Sequence, residues 1–186
     1  MTKKKIPSVF VCMPTYDTMQ VSTCLSLIKL MDTFTKAGIK STISTFKCPY
    51  VGYGRNVLTA MFLESGMDYQ LFVDSDVEFD PKVVGRMTLI HKKVYEKLIY
   101  DHPQLKIKQK EIISEEANKL FYNFWDTVFD QQSGHWWGED THFSNIAAAA
   151  GFKFYAVVDG ETTHHGSFGY TGSLMDIFKR PDEKAN

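Results

Sequence analysis

The chain has 186 residues, 44% of them hydrophobic, 14% aromatic and 23% charged, with a formal net charge of −1. That length suits one domain and is short for two, and the apolar content suits an ordinary globular core. The near-neutral charge argues against a nucleic-acid partner held by phosphate neutralisation; with no span-length apolar run and no visible signal peptide, the expectation is a soluble, cytoplasmic protein.

In chain order, Lys3, Lys4 and Lys5 read as a solvated tail. Ser8–Met13 reads as a buried strand ended by Pro14. Helical spacing follows at Val21, Cys24, Leu25, Ile28, Met31 and Phe34, with Gly38 as the stop. Residues 39–46 alternate and are β-rich, so they form a second strand. Pro49, Gly52 and Gly54 mark a loop, and Asn56–Ser65 a second helix ended by Gly66. A third strand ends at Asp74. The first half is therefore strand, helix, strand, helix, strand, the alternation of a parallel α/β sheet.

The second half reads as more helical. Helices are expected over Leu89–Tyr100, Ile112–Val128 and Glu139–Ala150, then a last strand over Phe152–Val158. The whole chain reads as one domain, with residues 1–6 and 175–186 as peripheral tails. Its three cysteines, Cys12, Cys24 and Cys48, cannot all pair, and their spacing fits no zinc pattern. Buried reduced thiols are expected at Cys12 and Cys24.

The most informative stretch is Tyr69-Gln-Leu-Phe-Val-Asp-Ser-Asp-Val-Glu-Phe79. A short apolar strand stops at two carboxylates, Asp74 and Asp76, one residue apart. Ligands of open α/β sheets bind outside the carboxyl ends of the strands. Two carboxylates there suit a divalent cation carrying a diphosphate; the plainer reading is a solvated acidic turn.

Four more constellations accompany it. Pro14-Thr15-Tyr16-Asp17 follows the first strand, either as a simple turn or as a ring for stacking and a carboxylate for a base or ribose. Arg55 and Asn56 open the second helix; an arginine there opposes the macrodipole, so it either holds an anionic group or sits on the surface. Trp136 and Trp137 precede Glu139 and Asp140. The rings could stack on a sugar and a carboxylate act as general base, or the rings are core and the acids cap the helix. Beyond the last strand, His164 or His165 could be a further metal ligand; vicinal histidines do not readily share one metal.

In this order the pieces resemble the GT-A nucleotide-sugar glycosyltransferases, in particular family-2-like enzymes. The resemblance runs from about Val9 to about Gly172. It rests on Gly54-Arg-Asn leading into Leu71-Phe-Val-Asp-Ser-Asp-Val-Glu-Phe79, on Trp137-Gly-Glu-Asp-Thr-His-Phe143, and on His164-His-Gly166. It implies a compact GT-A fold, Rossmann-like, with a mostly parallel sheet flanked by helices. It implies Pro14, Thr15, Tyr16, Asp17, Arg55, Asn56, Asp74 and Ser75 around the nucleotide-sugar. Asp76, with Asp74 and His164, would bind Mn2+ or Mg2+. Asp140 would be the general base of an inverting transfer, with Glu139 beside it, and Trp136 and Trp137 would face the acceptor. The implied partners are a nucleoside-diphosphate sugar and a glycan or other hydroxyl acceptor, in a hexosyltransferase-type reaction.

One departure is clear. Relatives carry a further strand and a Gly-rich turn after the Asp-x-Asp block; here Arg86 runs directly into Met87-Thr-Leu-Ile-His, which resembles the family's later stretch. That loss motivates a second reading, a non-catalytic nucleotide-sugar or carbohydrate-binding module. A third, a nucleotidyltransferase, predicts a glycine-rich phosphate cradle after the first strand, and the residues after Met13 lack the glycines.

Overall fold

The centre of the molecule is strand β1 (Val9–Thr15), buried on both faces. Such a strand belongs inside a parallel sheet covered by helices. That is its place in the computed structural model, which describes residues 5–82, 88–111, 113–156, 161–166, 168–173 and 175. Strands β2 (Ser41–Lys47) and β3 (Tyr69–Phe72) flank β1, both parallel to it. A fourth strand, β5 (Thr88–His91), adds antiparallel to β3, giving the order β2-β1-β3-β5.

Alternation along β1 divides the core in two. Val9, Val11 and Met13 pack with Leu27, Leu30 and Phe34 of helix α1 (Val21–Lys36). Phe10 and Cys12 point the other way, towards Leu58 and Phe62 of helix α2 (Val51–Ser65). On that side lie Tyr95 and Leu98 of α3 (Lys92–Asp101), the irregular residues Phe124 and Trp125, and Phe143 and Ala147 of α5 (Glu139–Ala149). The result is the expected α/β class: a mostly parallel sheet flanked by helices in a single compact domain.

Two small antiparallel pieces complete the fold. β4 (Val77–Phe79) pairs with β8 (Thr162–His165), which pairs with β9 (Gly169–Gly172). β6 (Val128–Asp130) and β7 (His135–Trp137) form a hairpin just before α5.

Several expectations change. β1 does not end before Pro14; it continues to Thr15 beside β2. Its register with β3 stops at Cys12 opposite Phe72, so Pro14 sits where β1 is paired on one side, a position that tolerates the missing N–H. The buried stripe of α1 is Thr23, Ser26, Leu27, Leu30 and Phe34, while Val21, Leu25 and Ile28 of the expected stripe are exposed. Part of the reason is that Ser26 is used by β4, its hydroxyl accepting from the Phe79 N–H at 3.1 Å.

Helix α2 begins at Val51, not Asn56, and takes in both glycines assigned to a loop. Gly52 is there for close approach: a Cβ would lie 2.3 Å from the Trp125 carbonyl oxygen. Arg55 is therefore inside the helix and not at its N-terminus.

The expected helix over Leu89–Tyr100 is split, because Thr88–His91 pairs with β3 and the His91 side chain then caps α3 by accepting from the Lys93 N–H at 3.1 Å. The long helix expected over Ile112–Val128 shrinks to α4 (Glu115–Lys119); Ile112 lies outside the described residues. Phe121 and Phe124 are buried as their spacing demanded, but from irregular chain, since tertiary contacts with α2 and α3 outweigh local periodicity. The strand expected over Phe152–Val158 is irregular at residues 152–156, where β5 makes no ladder with it; Val157 and Val158 lie outside the described residues. His164 and His165 lie within β8, not after a last strand. Of the expected tails, residues 1–4 and 176–186 lie outside the described residues.

Candidate functional site

The carboxyl ends of β1 and β3 open on the same side, and the segments following them are tied together. The Gln20 N–H donates to the Ser75 carbonyl at 2.9 Å, so the loop after β1 lies against the Asp-Ser-Asp turn after β3. The Cys48 N–H donates to the Thr15 carbonyl at 2.8 Å and joins the end of β2 to the same edge. This is the crevice at which open α/β sheets bind ligands.

Arg55 links the separate blocks. Its side chain is only 9% exposed, and its NH2 donates to Asp74 Oδ1 at 3.3 Å. Its NH1 lies 3.8 Å from Glu139 Oε1. The guanidinium carbon is 5.2 Å from the Phe72 ring centroid and 5.1 Å from that of Trp125, within cation–π range. Its Nε is buried with no hydrogen-bond partner among the described residues. β3 ends at Phe72, two residues short of the expected end at Asp74, so one cation gathers the acid just beyond β3, the acid that starts α5 and two aromatic faces. The macrodipole argument for Arg55 falls with the longer helix, yet its pairing with carboxylates is present.

Asp76 and His164 are brought together. Asp76 Oδ2 lies 3.2 Å from His164 Nε2. The antiparallel register sets Val77 opposite His164, and the His165 N–H donates to the Asp76 carbonyl at 2.8 Å. The His165 side chain is turned to Glu78, with Nε2 and Oε2 3.0 Å apart. Neighbours along a strand point to opposite faces, which parts the two rings of β8, and Asp76 reaches the His164 ring from the turn just before β4. A carboxylate oxygen and an imidazole nitrogen are fitting donors for Mn2+. Among the described residues no group of three or more His, Cys, Asp and Glu side chains is clustered for a metal, and Asp74 faces Arg55 instead.

The remaining candidates divide. Pro14 is buried in β1 and Thr15 half-buried, while Tyr16 is exposed. Asp17 pairs with Lys47 at 2.5 Å, and that hydrogen bond holds its carboxyl below the usual carboxylate range. Asn56 is buried with its amide in use: Nδ2 donates to Asn123 Oδ1 at 2.8 Å and Oδ1 accepts from the Trp125 N–H at 3.0 Å. Asp140 is exposed in the first turn of α5, and its Oδ1 accepts from the Thr141 N–H at 2.6 Å. Trp136 is 71% exposed on the β6–β7 hairpin, in tilted contact with Phe129, and Trp137 is half-buried beside His135. Cys12 is buried, and burial pushes its thiol well up; Cys24 and Cys48 are half-buried, so only one of the two thiols expected to be buried is fully so.

Beside Asp140 and His164 opens a cleft of about 1130 Å3 that both of them line. Trp125, Phe143, Tyr155 and Tyr170 line it too, whereas Trp136 and Trp137 do not. Trp125 was missed from sequence. Its ring stacks on Phe143 with centroids 4.1 Å apart, and its indole N–H donates to Thr59 Oγ1 at 3.2 Å. The signal available was the aromatic run Phe121-Tyr-Asn-Phe-Trp125, which the helical reading absorbed as core.

Neither a protein-family model nor a curated protein matches the chain. Among solved structures, the crystal structure of a glycosyltransferase involved in the glycosylation of the major capsid of PBCV-1 aligns over 52% of this chain and 69% of its own, at 11% identity and a TM-score of 0.35. The crystal structure of A197 from STIV aligns over 85% of each chain, at 17% identity and a TM-score of 0.38. At those scores neither likeness carries an argument about activity, which is left to the residues of the site.

Proposed function

We propose that this chain is a metal-dependent glycosyltransferase that moves a sugar from a nucleoside-diphosphate sugar to an acceptor hydroxyl, with inversion. The observation that supports it best is the approach of Asp76 to His164 at 3.2 Å, across 88 positions of sequence (164 − 76). These are the two blocks expected from sequence to share one metal.

In this reading Asp76 and His164 would hold Mn2+ or Mg2+, whose charge would offset that of the leaving diphosphate. Arg55 keeps Asp74 and Glu139 in place at the crevice edge, and the loop of Thr15, Tyr16 and Asp17 borders the nucleotide. Asp140, exposed at the cleft, accepts the proton of the acceptor hydroxyl as its oxygen bonds to the anomeric carbon. The anomeric carbon–phosphate oxygen bond breaks, and the nucleoside diphosphate leaves with that electron pair.

The test is a panel of nucleotide sugars assayed for Mn2+-dependent binding and for release of nucleoside diphosphate. Release with one donor supports transfer. Binding without release in any acceptor mixture favours the binding-module reading, and no binding at all removes both.

A further inference from the structure

We propose that the cleft shared by Asp140 and His164 takes an acceptor whose hydroxyl is carried on an uncharged apolar body, alkyl or aryl, and not on a chain of sugars. This deepens the transferase reading and rests on it only for the fate of the hydroxyl; the binding claim stands on the cleft.

The first ground is what lines the cleft. Leu89 and Val94 form part of it, with Phe152, Phe154, Tyr155 and Tyr170. Leu89, Phe154, Tyr155 and Tyr170 are exposed, Tyr155 by 85%, so apolar surface stands open to water beside the candidate base. A contiguous exposed apolar patch of this kind marks a binding site.

The second ground is chemical. Proteins recognise sugar chains by combining a ring face with planar polar side chains that bond successive hydroxyls. Among the described lining residues there is no Asn, Gln, Glu or Arg. Asp140 is the one carboxylate and Lys153 the one permanent cation. His91 also lines the cleft, and its partial burial disfavours its charged form. The other polar groups are small hydroxyls, among them Thr88, Ser144, Thr162 and Thr171, and a mostly apolar, mostly uncharged lining with one carboxylate matches an amphiphilic acceptor.

The third ground is placement. The expected acceptor rings, Trp136 and Trp137, lie outside this cleft, whereas Asp140 borders it. The volume, about 1130 Å3, accommodates a sizeable small molecule. An acceptor held there presents its hydroxyl at Asp140 while its body covers Phe154, Tyr155 and Tyr170.

The experiment is calorimetry on the full chain without nucleotide, comparing octyl, phenyl and methyl β-glucosides below the micelle concentration, with a glucan oligosaccharide as the polar competitor. Octyl or phenyl glucoside should bind at least about tenfold more tightly than methyl glucoside, as burial of the added carbons requires. The tighter of the two identifies an aliphatic or an aromatic body. Tyr155→Ser and Phe154→Ser should each weaken that binding by about threefold to tenfold. Tyr100→Ser, equally exposed but outside the cleft, should not. Equal affinity for all three glucosides, preference for the oligosaccharide, or equal loss in Tyr100→Ser overturns the proposal. Intact glucoside selectivity in a chain that releases no nucleotide from any donor supports this site and removes only the transferase reading.

Discussion

Arg55 and Asp74 form a part-buried ion pair, with NH2 and Oδ1 3.3 Å apart, and that pair joins the second helix to the end of the third strand. The same guanidinium lies between the Phe72 and Trp125 rings and reaches towards Glu139. A planar fork serves that position and a point charge does not. Beneath it, Gln70 Nε2 donates to Thr59 Oγ1 at 3.2 Å and the Tyr95 hydroxyl donates to Gln70 Oε1 at 2.5 Å, so the floor of the site is a satisfied polar network.

Arg55→Lys keeps the charge and loses the fork. It should lower stability by about 1–3 kcal/mol, because two acids and two rings lose a fitted partner. Urea unfolding at unchanged slope reads this directly, and an unshifted midpoint would show that the guanidinium holds nothing together.

His164→Ala should weaken Mn2+-dependent nucleotide binding more than His165→Ala does, since His164 approaches Asp76 and His165 approaches Glu78. Asp76→Asn should abolish it, an amide being a poor ligand for a hard dication. Calorimetric titration of Mn2+ with UDP or GDP separates the three variants. A larger loss at His165 would move the site to the other face of β8.

Asp140→Asn should leave donor binding nearly intact and slow transfer by about two to four orders of magnitude, the worth of a placed base. Its melting temperature should change little, since the side chain is exposed and its bonds are with adjacent Thr141. Transfer at the parent rate would reduce Asp140 to a helix-terminus acid.

Two glycines one residue apart in α2 should behave in opposite ways. Gly52→Ala places a methyl against the Trp125 carbonyl and should cost about 1–3 kcal/mol. At Gly54 the nearest atoms would be at 3.6 Å, ordinary contact, so Gly54→Ala should stabilise the helix by about 0.5–1 kcal/mol. Thermal melts of both variants, with tryptophan emission recorded alongside, measure the difference. Equal effects would mean that Trp125 does not sit on Gly52 as described.

Residue order alone determined the alternation of strands and helices in the first half of the fold. Ser8 to Met13 could be read as a buried strand, and the third strand placed to within two residues of its end at Phe72, because periodicity and turn residues act over a few positions. The same local rules failed where distant chain supplied the partner. Residues 120–127 carry a helical period but leave the helix for contacts with Tyr53, Asn56 and Tyr95. Gly52 reads as a turn residue and is a packing residue, since only the fold brings Trp125 against it. Within the candidate site, sequence named Arg55, Asp74, Asp76, Glu139, Asp140 and His164 and grouped Asp76 with His164, but it did not set Asp74 and Glu139 on Arg55. That Asp74 goes to Arg55 while Asp76 goes to His164 was decided by the pairing of β4 with β8, which brings the turn before β4 beside the His164 ring, and by the entry of α2 over Trp125, and both are properties of the assembled sheet and helices.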